Sequence, residues 1–139
     1  MIKNRNLDPK ESKKNIEIDL VAWVANAISF AWTNPEKSKI AVTRAILYVS
    51  TAGWTSWSVM DIGVTTSATW TDDVIFDWVW INTVTLYDNM WGALYDTYTE
   101  GKAVIVDENW GTNSWITWKI LTQNASSLAG KLYLEYKVL

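Results

Sequence analysis

Cysteine and histidine are both missing from the 139 residues. Without cysteine there is no disulfide framework and no thiol chemistry, and without histidine the commonest metal ligand and general base is gone. No serine can therefore draw on a histidine base, and no Gly-x-Ser-x-Gly elbow occurs. A basic excess is lacking as well. The net charge is −3, the isoelectric point is near 4.8, and the lysines crowd into the first fourteen residues instead of lining a groove, which argues against nucleic-acid binding. No apolar run approaches the length of a membrane span and the opening Met-Ile-Lys-Asn-Arg-Asn is hydrophilic. Neither a signal peptide nor a transmembrane helix is expected, and the chain is read as made in the cytoplasm or exported without a cleaved signal. Glycine is scarce at six, proline and phenylalanine number two each, and against these stand eleven tryptophans.

The pattern that organises the chain is period two. From Ile16 to Trp32 the even positions carry Ile16, Ile18, Leu20, Ala22, Val24, Asn26, Ile28, Phe30 and Trp32, the signature of an extended chain with one buried face. At about 3.3 Å per residue such a strand would overrun a small sheet, so a break near Val24 to Asn26 and two strands are expected. Asn34-Pro35-Glu36-Lys37 reads as a turn, followed by a strand over Lys39 to Thr51. Its apolar residues fall on both faces: Ile40, Val42, Ile46 and Tyr48 on one, Ala41, Ala45, Leu47 and Val49 on the other. That is the mark of a central strand. Arg44 interrupts the first face and is expected near an edge or against an acid.

Further strands are expected over Ser58 to Thr66, over Asp73 to Asp88 with a slip of phase near Asp77 that fits a bulge or corner, over Lys102 to Glu108, over Trp115 to Gln123 and over Gly130 to Leu139. Residues 88 to 101 read as irregular. Roughly seven to nine short strands with almost no helical pattern define an all-β, antiparallel β-sandwich, jelly-roll-like in kind. Residues 1–14 are charged and aperiodic and read as a flexible N-terminal arm, with residues 15–139 forming one domain.

The tryptophans fall where glycine belongs. Trp54 and Trp57 lie in Ala52-Gly53-Trp54-Thr55-Ser56-Trp57-Ser58, Trp70 precedes two aspartates, and Trp110 lies in Asn109-Trp110-Gly111-Thr112-Asn113. Turns call for residues that reach positive φ without a Cβ clash, which is the reverse of what tryptophan offers. Glycine at all eleven positions would lift the glycine count from six to seventeen, closer to what an all-β chain carries. One reading is that some or all of these tryptophans are UGA codons which the source translates as glycine. The other is a genuinely tryptophan-rich protein whose indoles are buried or used. Trp23 and Trp32, inside the first strand run, read as core residues.

With glycine in mind at those positions, several segments taken in order resemble a family of small β-rich proteins from the virion-structure modules of tailed phages. They are Asn34-Pro35-Glu36 leading into Ile40-Ala41-Val42-Thr43-Arg44, then Asp61-Ile62-Gly63, then Asp72-Asp73-Val74-Ile75-Phe76-Asp77, and finally Leu128-Ala129-Gly130-Lys131-Leu132-Tyr133-Leu134-Glu135-Tyr136. The resemblance spans about residues 16–139. Trp54, Trp78 and Trp80 depart from it, since small or polar residues stand there in the family. It implies a non-enzymatic protein of decoration or cement type on the capsid surface of the virion, made in the host cytoplasm. It also implies the major capsid protein as partner, with self-association into a homo-oligomer, and no active site or cofactor.

Other chemistry is weakly supported. Asp72, Asp73 and Asp77 could offer oxygens to Ca²⁺, yet their spacing fits no dedicated loop. Asp107 and Glu108, adjacent on a strand end, point to opposite faces and make a poor glycosidase pair. Asn124-Ala125-Ser126 fits a glycosylation sequence but reads as a turn. The competing function is a carbohydrate-binding module that presents Trp54, Trp57, Trp110, Trp115 and Trp118 as aromatic platforms to a glycan.

Overall fold

The computed structural model describes residues 13–20, 28–53, 58–70, 73–88, 103–122, 125 and 127–139. Among them nine strands follow in order: β1 (Lys13–Asp19), β2 (Ile28–Thr33), β3 (Ile40–Thr51), β4 (Val59–Thr65), β5 (Phe76–Trp80), β6 (Thr85–Asp88), β7 (Val104–Val106), β8 (Trp115–Ile120) and β9 (Ala129–Val138). One sheet runs β1-β9-β3-β6, the other β2-β8-β4-β5, and their pairings are antiparallel. β7 shares an edge of β3 with β6, taking Ile40 to Val42 while β6 takes Ile46 to Val49. Consecutive strands occupy corresponding positions in the two sheets: β1 with β2, β9 with β8, β3 with β4, β6 with β5. Four antiparallel strand pairs wound into two sheets in this order make a jelly roll.

The expected division of residues 16–32 into two strands holds, and the two go to different sheets: β1 to the first, β2 to the second. Trp23 and the expected break itself lie outside the described residues. β1 already begins at Lys13, which pairs with Lys137, while Lys14 pairs with Tyr136. Both lysines belong to the arm expected over residues 1–14, and the β9 ladder draws them into the sheet. β9 keeps the clean alternation its sequence shows, with Leu132, Leu134 and Tyr136 buried and Tyr133 exposed.

β3 is central, as its apolar residues imply, but the reason for the two apolar faces differs from the expectation. Its register against β9 slips between Val42 and Arg44. Ile40 and Val42 face the core before the slip, Ala45, Leu47 and Val49 after it, all with no exposed surface. A bulge of this kind inserts one residue and inverts the phase, so Ile40 and Val42 of one apolar set and Ala45, Leu47 and Val49 of the other reach the same interior. Tyr48 is left on the solvent side. Arg44, also outside, reaches Asp88 of β6 at 2.6 Å, the acid partner its position called for.

The run from Asp73 to Asp88, read as one extended segment, is two strands in two sheets. Ile81 is buried, its N–H donates to the Ser58 carbonyl at 3.1 Å, and the bend after it carries the chain from β5 across to β6. The slip near Asp77 is a bulge: Met60 opposes Val79 and Ile62 opposes Phe76, which leaves Asp77 and Trp78 both against Asp61. Between the sheets lies one core built from Ile40, Leu47, Met60, Ile62, Ile116, Trp118 and Leu132 among others. Burying each aliphatic side chain of this kind contributes about 1.5–3 kcal/mol. The sheets also meet through rings, with Trp32 of β2 and Tyr136 of β9 at 6.0 Å between centroids and tilted by 52°, an arrangement aromatic pairs favour.

Candidate interaction surfaces

Two loops meet beside β2 and β8. Asn34 is fully buried. Its Nδ2 donates to the carbonyls of Ser38 at 3.1 Å and Asp107 at 2.8 Å, and its Oδ1 accepts the Glu36 N–H at 2.9 Å. The Asn109 N–H donates to the Glu36 carbonyl at 3.0 Å, so the 34–38 turn holds the 107–114 turn in place. Asp107 in turn accepts the Asn113 N–H at 2.9 Å and faces Lys39 at 3.3 Å. These two partners, the backbone bond first, hold its carboxyl below the ordinary aspartate range.

At the tip of this scaffold stands Trp110, 94% exposed. The Gly111 N–H donates to the Glu108 carbonyl at 2.7 Å, which closes a β-turn with Trp110 at its third position, and Trp110 has φ of 77°. Those are the terms of a type II turn, whose third residue is ordinarily glycine. Beside it opens a cleft of about 490 Å³ lined by Thr33, Thr66, Asn109, Trp110, Ser114 and Trp115. Of the five tryptophans read as sugar platforms, Trp110 and Trp115 are thus brought together. Trp54 and Trp57 lie outside the described residues. Trp118 points into the core with no exposed surface, because its position on β8 shares the inward face with Ile116 and Ile120, and it presents no platform.

Asp72 lies outside the described residues, and among those described no group of three or more potential ligands is placed to hold a metal ion.

The solvent face of the first sheet was not singled out by sequence. There the register places Tyr133 beside Ile46 and Tyr48 beside Leu86, with Tyr48, Tyr133 and Leu86 exposed. A groove of about 320 Å³ runs past Asn15, Glu17, Arg44, Ile46, Tyr133 and Glu135. Glu135 is held below its usual range by Lys13 and by the Thr43 hydroxyl. The signal was present in the sequence as Tyr133 set among Lys131, Glu135 and Lys137, an aromatic residue in the outward phase of an otherwise charged strand.

No family model and no curated protein matches the chain. Among solved structures it is similar to a chain of the cyanophage Pam1 capsid asymmetric unit, with a TM-score of 0.52 and 15% identity over 92% of this chain and 84% of that one. At that identity the likeness is one of fold.

Proposed function

We propose that this chain is a non-enzymatic virion structural protein. In this reading it is a capsid decoration or cement protein, made in the host cytoplasm, that binds the major capsid lattice and associates with its own copies. The observation that carries the reading is a jelly roll that overlays a phage capsid chain along nearly its whole length. It is joined by the ordered motifs that resemble phage virion-module proteins. Many weak contacts repeated over a symmetric shell sum to firm attachment without a deep pocket on any one copy. The test is co-sedimentation of the purified chain with empty shells of the major capsid protein from the same source. Saturable binding at a fixed ratio to capsid subunits is expected, and a chain that stays in the supernatant at every ratio would overturn the reading.

Part of the same proposal is that the source reads UGA as glycine at some of the tryptophan positions. Support comes from backbone geometry: the non-glycine residues with positive φ among those described are Trp78, at 53°, and Trp110, at 77°. The gene itself decides the point. TGA is expected at codons 78 and 110, with glycine at both in peptide mass spectra of the native protein; TGG and tryptophan at both would remove the idea.

A carbohydrate-binding module is the second reading, favoured by the cleft between Trp110 and Trp115. It predicts quenching of indole fluorescence by a bound oligosaccharide and loss of that quenching in Trp115→Ala. An unchanged spectrum across a glycan panel excludes it.

A further inference from the structure

We propose that the cleft beside Trp115 is a subsite for one uncharged pyranose unit of a glycan, with Trp115 as the stacking platform and Ser114 and Asn109 as the polar groups that orient the ring. This names the sugar class for the carbohydrate-binding reading above and rests on that reading, but it requires no tryptophan at position 110.

Register puts the platform in place. Trp115 opens β8 and lies directly across from Thr33 of β2 and Thr65 of β4. Directly opposed residues share one face of a sheet, and here it is the face turned away from the core, since Ile116, Trp118 and Ile120 take the inward phase. The result is a half-buried indole between two threonines. The positive φ of Trp78 and Trp110 does not extend to Trp115, so nothing in its conformation calls for glycine. Thr65 Oγ1 donates to the Ser67 carbonyl at 2.9 Å, which holds the loop that brings Thr66 to the cleft.

Hydrogen-bonding capacity is left over beside the indole. The Ser114 carbonyl accepts two donors, the Asn34 N–H at 2.8 Å and Thr33 Oγ1 at 3.3 Å, so the residue is fixed at the cleft wall. Its hydroxyl has no hydrogen-bond partner among the described residues, although Ser114 is only 4% exposed. A nearly buried hydroxyl in that position asks for a partner. Asn109 is held through its backbone N–H on Glu36, and its side-chain amide also has no partner among the described residues. Between them the hydroxyl and the amide both donate and accept.

A pyranose matches this arrangement. One face of the ring is a sheet of C–H groups that lies flat on an indole, while the rim carries hydroxyls that donate and accept. None of the residues lining the cleft is charged, so a carboxylate, sulfate or phosphate would lose its water there with no cation to meet it. The volume of about 490 Å³ falls within the ~300–1,000 Å³ of small-ligand sites.

Isothermal titration calorimetry of the full chain with cellohexaose, maltohexaose and mannohexaose, and with hexagalacturonate as the anionic counterpart, tests the proposal. Binding of at least one neutral oligosaccharide is expected, and none of hexagalacturonate. Ser114→Ala removes a hydroxyl that holds nothing else in place, so affinity should fall about tenfold while the urea midpoint stays unchanged. Trp115→Ala should abolish binding and Trp115→Phe should restore part of it. Neutral sugars that bind the parent, Ser114→Ala and Trp115→Ala equally well overturn the inference, as does a preference for hexagalacturonate, and both outcomes leave a glycan-binding protein. A chain that binds none of the four also overturns it; the reading on which it rests falls only if the wider glycan panel is silent too. Weakened capsid co-sedimentation of Ser114→Ala, with no sugar bound by the parent, would assign the cleft to a protein contact and overturn the inference.

Discussion

The backbone N–H of Trp78 donates to Oδ1 of Asp61 at 2.8 Å, across the bulge that joins β5 to β4. This bond fixes Trp78 in the left-handed region, at φ of 53°, where a Cβ costs about 1–2 kcal/mol and glycine nothing. The indole gains little in return, since Trp78 is 47% exposed. Replacing Trp78 by glycine keeps the N–H and its bond to Asp61 and relieves the Cβ. Trp78→Gly and Trp110→Gly should therefore each raise the unfolding free energy of the tryptophan-bearing chain by about 0.5–1 kcal/mol, read as an upward shift in the urea midpoint. A downward shift in both would show that the exposed indoles are part of what holds the loops.

Trp118 should behave in the opposite way. It fills the inner face of β8 opposite Ile62 with no surface exposed, and truncating a buried tryptophan leaves a cavity that its neighbours close only in part. Trp118→Ala should cost about 3–5 kcal/mol, measured by the same denaturation. A loss below about 1 kcal/mol would mean that the core closes over the site.

Asn34 is the pin between the two loops that carry the cleft. Its side chain satisfies two carbonyls and one N–H in a fully buried setting, so removal orphans groups on both turns. Asn34→Ala should destabilise the fold by about 2–3 kcal/mol. It should also raise amide hydrogen exchange at Asn109 and Gly111 before any part of β8. Exchange that rises uniformly over the domain would argue that Asn34 supports the core and not the loop.

Acid should loosen both the 107–114 turn and the outer face of the first sheet. The carboxyls of Asp107 and Glu135 are both held below their ordinary ranges, by the Asn113 N–H and Lys39 in one case and by Lys13 and Thr43 in the other. A depressed folded-state value means that the stabilising contribution is complete above the unfolded-state value and is lost as the pH falls through the folded-state one. Stability is then expected to hold down to about pH 5 and to decline from there toward about pH 2. Asp107→Asn should lower stability at neutral pH and flatten that decline, so that the variant and parent converge in acid. Parallel curves over the whole range would contradict the assignment.

How much of this was legible beforehand depends on the range of the interaction. Alternation in Ile16 to Leu20 and in Leu132 to Tyr136 reports which face of a strand is buried, a local property; it located β9 to within one residue at each end, whereas β1 begins three residues before Ile16 and ends at Asp19, short of the expected break near Val24. The slip at Asp77 was also visible, because a bulge breaks the alternation in sequence itself. The slip at Thr43 was not. Apolar residues on both faces of β3 fit a doubly buried strand as well as a phase inversion, and only the pairing with β9 separates them. Strand order lay out of reach for the same reason. That Trp118 is core whereas Trp110 is a turn tip follows from neighbours: Ile116 and Ile120 share the inward phase of one, while Gly111 and Asn113 surround the other. The outward apolar set on the first sheet is assembled from four strands distant in sequence, and no single segment displays it.

The close approach of β9 to β3 sets a last requirement, at Gly130. It opposes Val49, and a Cβ built there would lie 2.0 Å from the Tyr48 carbonyl oxygen and 2.9 Å from Leu20 Cδ1. The obstacle is backbone, which no side-chain rotation relieves, and the Gly130 carbonyl also accepts the Leu20 N–H at 2.9 Å, so three segments converge on a point with room for hydrogen alone. Gly130→Ala should cost about 2–3 kcal/mol and should loosen the end of β1 along with β9, since any shift that frees the Cβ pulls on Leu20. Hydrogen exchange resolves the two effects. Faster exchange at Leu20 and Tyr48 together is the expected result, and an alanine variant as stable as the parent would mean that β9 can move outward from β3 without breaking the ladder on which the jelly roll depends.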